Sequence, residues 1–87
     1  MKILVVCGMG LGSSHYLLME VISIIKELNI RAEIDNCDLF TAQNAEADVF
    51  IGADYIINML DGAGVKIGLD DILDEKELRD KLKQMEV

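Results

Sequence analysis

Lys2-Ile3-Leu4-Val5-Val6-Cys7-Gly8-Met9-Gly10-Leu11-Gly12-Ser13-Ser14 decides how the rest of the chain is read. Lys2 to Val6 reads as a continuous apolar run rich in β-branched residues, as expected of a buried strand in a parallel sheet. Behind it, Gly8, Gly10 and Gly12 stand at every second position, which forbids regular structure. Ser13 or Ser14 is then placed to cap a helix. A buried strand, a glycine turn and a helix amino end in that order predict the first half of a βαβ unit.

Outward from this stretch the alternation continues. A helix is expected to about Asn29, with Leu18, Val21, Ile22, Ile25 and Leu28 along one apolar face. Residues 30–36 alternate Ile30, Ala32 and Ile34 with Arg31, Glu33 and Asp35, as in a strand half exposed at a sheet edge. Residues 38–45 suggest a short helix. Asp48–Gly52 reads as a third strand buried on both faces, and Tyr55–Leu60 as a brief helix ending at Asp61-Gly62-Ala63-Gly64. Val65–Leu69 is a fourth strand. A last helix is expected from about Asp70 to Met85, docked through Ile72, Leu73, Leu78 and Leu82, with carboxylates early and Arg79, Lys81 and Lys83 late to complement its dipole. The predicted fold is α/β, a three-layer open parallel sheet of four strands in the order 2-1-3-4 with helices on both faces. Ligands in such sheets sit beyond the carboxyl ends of the strands at the switch point, here the loop that begins with Cys7.

Composition limits the function. The chain of 87 residues is 52% apolar and 28% charged, which excludes intrinsic disorder and suits one small domain, residues 1–87. Eight Lys and Arg stand against sixteen Asp and Glu, a net charge of −8. That balance repels nucleic acid and anionic lipid surfaces alike. No apolar run approaches the ~20 residues of a membrane span, and the start is too short for a signal peptide, so a cytoplasmic location is expected. Cys7 and Cys37 make no disulfide framework and are expected as reduced thiols. With His15 the single histidine, their separation matches no zinc ligand pattern, and neither metal nor cofactor is expected.

A glycine turn that opens a helix cradles anions, because its N–H groups point inward and the helix end carries about half a positive charge. A nucleotide P-loop would need Gly-Lys-Ser/Thr, and the loop holds no lysine. A dinucleotide fingerprint would need its third glycine where Ser13 stands. A nucleophilic phosphate loop fits. Amides that bind phosphate also stabilise a thiolate, drawing Cys7 from about 8.5 toward neutrality. Cys7 is therefore the candidate nucleophile, and the amides of Gly8, Met9, Gly10, Leu11, Gly12, Ser13 and Ser14 are the candidate phosphate cradle. The plainer reading makes Cys7 a small residue closing a buried strand. Cys37, with no glycine loop after it, reads as filler. His15 reads as solvent-facing, with contact to a phosphoryl group as its alternative. Met9, Leu11 and Tyr16 offer an apolar rim to a docking protein, unless Met9 and Leu11 fold back onto the domain.

This stretch resembles the phosphocysteine loop of the enzyme IIB components of the bacterial phosphoenolpyruvate-dependent sugar phosphotransferase system. The nearest likeness is to the ascorbate and galactitol branch, whose loops read Cys-Gly-x-Gly with small residues and serine after. The resemblance implies that Cys7 takes a phosphoryl group from phosphohistidine on a IIA protein and passes it to a sugar bound by a membrane IIC permease. It also implies membrane association through IIC without insertion. The sheet is similar to that of low-molecular-weight tyrosine phosphatases as well, whose loop is Cys-x5-Arg-Ser. Here Ser13 takes the arginine position, and with no proline in the chain there is no Asp-Pro general acid. A phosphatase needs both groups, so a carrier is the expected function. A phosphatase and a non-catalytic anion-sensing domain are the alternatives.

Overall fold

The computed structural model describes residues 1–7, 13–61 and 64–85, with backbone only for Cys7, Ser13, Ser14 and Met85. Four strands, β1 (Lys2–Cys7), β2 (Glu33–Asp38), β3 (Val49–Ala53) and β4 (Val65–Leu69), alternate with four helices, α1 (Ser13–Glu27), α2 (Leu39–Ala42), α3 (Asp54–Ile57) and α4 (Glu75–Met85). The strands form one parallel sheet in the order β2-β1-β3-β4. The expected α/β topology is therefore observed, with the first strand inside the sheet.

Strand alternation divides the core in two. Ile3 and Val5 of β1, Val49 and Ile51 of β3, and Ile67 and Leu69 of β4 face α1 and α4, which contribute Leu17, Val21, Ile24, Ile25, Leu78 and Leu82. Leu4, Val6 and Phe50 face the other way, against Ala42 of α2 and Ile56, Ile57 and Leu60 around α3. Each such aliphatic side chain contributes about 1.5–3 kcal/mol on burial. Arg79 of α4 pairs with Glu27 of α1 and with Glu75 one turn back at 2.8 Å, joining the two long helices.

Several boundaries differ from the sequence expectation, each for a chemical reason. α1 ends two residues early because Asn29 adopts a left-handed φ of 58°. The N–H of Asn29 then donates to Lys26 O (3.1 Å) and that of Ile30 to Ile25 O (3.1 Å), the paired bonds of a Schellman ending. Ile30 is consumed by this cap, so β2 starts at Glu33, whose N–H donates to Met1 O (2.8 Å), and extends to Asp38. Asp38 is the cap of α2, its Oδ1 accepting from Thr41 N at 2.6 Å, and α2 stops at Ala42. α3 covers Asp54–Ile57, earlier and shorter than expected.

α4 begins at Glu75, not near Asp70, because Asp74 Oδ1 accepts from the N–H groups of Lys76 (3.0 Å) and Glu77 (3.2 Å). Leu73 consequently lies in the preceding turn, 60% exposed, and does not dock on the sheet. On α1 the buried stripe runs through Leu17, Val21, Ile24 and Ile25. Leu18, Ile22 and Leu28 are half-buried, so the expected face was rotated by part of a turn.

Candidate phosphoryl-transfer site

β1 carries the backbone of Cys7 to the carboxyl end of the sheet, level with Asp38 of β2. On its other side β3 comes close, since a Cβ on Gly52 would stand 2.7 Å from Val6 O. The strand before the cysteine is thus gripped by neighbours on both sides. α1 starts at Ser13, six residues further along the chain, and is fifteen residues long. A helix of that length presents unpaired N–H groups and a positive dipole end at its first turn. The expected cap, Ser13 or Ser14, is replaced by a helix that includes both serines. Their N–H groups are therefore among those first-turn donors. Gly8, Met9, Gly10, Leu11 and Gly12, the rest of the expected cradle, lie outside the described residues, as do two rim residues, Met9 and Leu11. His15 is exposed, and Tyr16 is 45% exposed beside it. Cys37 is half-buried against the Leu4 and Val6 cluster, the environment of a packing residue.

The other strands end in carboxylates. Asp38 closes β2, Asp54 follows β3 and Asp70 follows β4. Hydrogen bonds from the backbone and side chain of Thr41 hold the Asp38 carboxyl below its ordinary range. Asp70 is raised, first by its hydrogen bond with Asp54 and then by the negative charge of Glu77. Glu77 is lowered, first by accepting from Asp70 N (3.0 Å) and then from Asp71 N (3.2 Å). Lys81 reaches Glu77 at 3.1 Å and donates to Gly68 O. This network ties the end of β4 to α4. Only the Glu77–Lys81 spacing announced it, as an i,i+4 pair. Asp54 and Asp70 meet because β3 and β4 are neighbours.

Segments 38–44, 54–61 and 70–74, which follow those three strands, contain no Lys or Arg. No group of three or more His, Cys, Asp or Glu among the described residues is arranged to hold a metal ion. No helix among them is long and apolar enough to cross a membrane.

An inner first strand that ends in a cysteine, followed by a helix, defines an α/β domain with a four-stranded parallel sheet in the order β2-β1-β3-β4. The family model described as "PTS system, Lactose/Cellobiose specific IIB subunit" matches residues 2–84, and the chain belongs to that family. It is thereby a IIB-type component of a sugar phosphotransferase system, a class that works with IIA and IIC components. No curated protein matches the chain.

Proposed function

We propose that residues 1–87 act as one cytoplasmic phosphocarrier domain in which Cys7 is the phosphorylated nucleophile. What carries this reading is the position of Cys7 at the end of an inner strand, six residues before α1 begins at Ser13. The thiolate attacks phosphorus of a IIA phosphohistidine. The P–N bond breaks as the S–P bond forms, and because the other ring nitrogen of the phosphohistidine already carries a proton, the leaving group departs as neutral imidazole. In the second step a hydroxyl of the sugar held by the IIC permease attacks the same phosphorus. The S–P bond breaks, the thiolate is regenerated and the hydroxyl proton goes to solvent. Amides from Gly8 to Ser14 hold the phosphoryl oxygens in both steps.

The absence of Lys and Arg from the segments after β2, β3 and β4 favours a carrier over a phosphatase. A phosphatase clamps its transition state with a cation and activates water, whereas a carrier must leave its phosphothioester intact. The donor meets an apolar rim formed by Met9, Leu11 and Tyr16. The loop's likeness to the ascorbate and galactitol branch supports that branch of IIB domains.

Labelling with a radioactive phosphohistidine donor of the IIA type tests the assignment. Wild-type chain and Cys37→Ser should become labelled, while Cys7→Ser should fold and remain unlabelled, since a hydroxyl is scarcely ionised near neutral pH. Equal loss of labelling in both variants, with folding intact, would overturn it. Met9→Asp with Leu11→Asp should weaken donor binding while Cys7 still reacts with a small alkylating reagent.

A further inference from the structure

The net charge of this protein is concentrated in one segment of the chain. Between Arg31 and Lys66 there are seven Asp and Glu and not one Lys or Arg, so this segment holds nearly all of the net −8. It comprises edge strand β2, the two short helices α2 and α3 and the buried strand β3. Five of the eight bases, Lys26, Lys76, Arg79, Lys81 and Lys83, lie instead on α1 and α4 across the sheet, balanced there by Glu20, Glu27, Glu75, Glu77 and Asp80. The acidic side also displays two large rings. Phe40 is 80% exposed and Tyr55 70% exposed, each the second residue of its helix. α2 follows β2 and α3 follows β3, the two strands that flank β1, so the rings stand on either side of the Cys7 end of the sheet.

We infer that this acidic, aromatic α2/α3 face is the docking surface for the cytoplasmic side of the membrane permease; the inference rests on the phosphocarrier reading above. Three physical points select that partner. Cytoplasmic loops of membrane proteins carry an excess of Lys and Arg. That excess complements segments 38–44 and 54–61, which hold α2 and α3 and carry Asp38, Asp54 and Asp61 with no Lys or Arg. The donor arrives with a phosphoryl dianion that this face repels, whereas the acceptor brings an uncharged sugar hydroxyl. Anionic lipid is repelled too, so the contact is with protein. Exposed aromatic rings within a charged rim are the usual anchors of such an interface, and losing two of them costs affinity at least tenfold.

The test uses the full chain and purified IIC permeases of the lactose/cellobiose and ascorbate/galactitol types, each in phosphatidylcholine nanodiscs, with protein-free phosphatidylcholine and phosphatidylglycerol discs beside them. The wild type should bind a permease, more weakly as salt is raised, and should bind neither empty disc. Phe40→Ser with Tyr55→Ser should weaken permease binding at least tenfold while Cys7 is labelled by the phosphohistidine donor at the wild-type rate. Labelling that fails in the wild type itself would defeat the carrier reading, which is a separate result. Wild-type permease affinity in the double variant, an equal loss of donor labelling, binding to phosphatidylglycerol discs alone, or no binding to any permease would each overturn the docking assignment.

Discussion

The two sides of the sheet are built on opposite principles. Against α1 and α4, shape is set by side-chain volume, with long helices resting on interlocked Leu, Ile and Val and tied by Arg79. Against α3, a smaller apolar cluster is joined by two glycines that set how closely the helix approaches. Gly52 and Gly68 pair directly across β3 and β4. A Cβ on Gly52 would strike Val6 O and press on Ile57, and one on Gly68 would overlap the Asp54 carboxylate. One side tolerates exchange at constant volume; on the other an added Cβ must push on backbone at Gly52 or displace the Asp54 carboxylate at Gly68. The thin side can therefore hold short helices close to the strand ends, where the candidate site lies.

Truncation on the thick side should have the largest effect. Leu82→Ala, at a fully buried position, should cost about 2–5 kcal/mol in denaturant unfolding. A cost near that of an exposed residue would show that α4 is dispensable to the core. Gly52→Ala should come next, at about 1–3 kcal/mol, because backbone oxygen cannot yield as a side chain does. It should also slow phosphoryl acceptance by displacing the strand that carries Cys7. Unchanged stability and labelling would break the contrast between the two sides. Gly68→Ala should cost less than Gly52→Ala, since its nearest obstacle is the movable end of Asp54.

The smallest effects belong to the carboxyl edge, where the sign depends on pH. Glu77 is lowered in the folded state, so its contribution is full above its unfolded pKa and is lost as pH falls through the folded value. Glu77→Gln should lower Tm slightly at pH 7 and have no effect in strong acid. Asp70 is raised, so its contribution is present below the unfolded value and lost as pH rises through the folded one. Asp70→Asn should raise Tm slightly at pH 7. Thermal melts of both variants from pH 3 to 7 check the signs, and shifts in the same direction would refute the opposed roles.

Strand order was legible because Ile3–Val6 and Val49–Ile51 are apolar on both faces while β2 alternates, which separates inner strands from edge. Element ends were less so. Asn29 and Asp74 each look like ordinary polar residues until the left-handed turn of one and the backbone bonds of the other are known. Leu73 shows the cost of extending helical periodicity past a cap. For the site, the strand–glycine–helix order pointed to Cys7 directly. The Asp54–Asp70 contact was invisible, because it depends on which strands become neighbours.

An inner strand that comes first in the chain also shapes the folding order. Lys2 must find Glu33, and Ile3 must find Val49, whereas Val49 and Val65 are much nearer in sequence. Loop closure favours the nearest pairing, so β3, α3 and β4 are expected to form the nucleus and β1 to join late. Mutations in β3 and β4 should then give high φ-values and those in β1 low ones. The strand that bears Cys7 is then expected to be the last seated, so partly folded chains should carry no assembled candidate site.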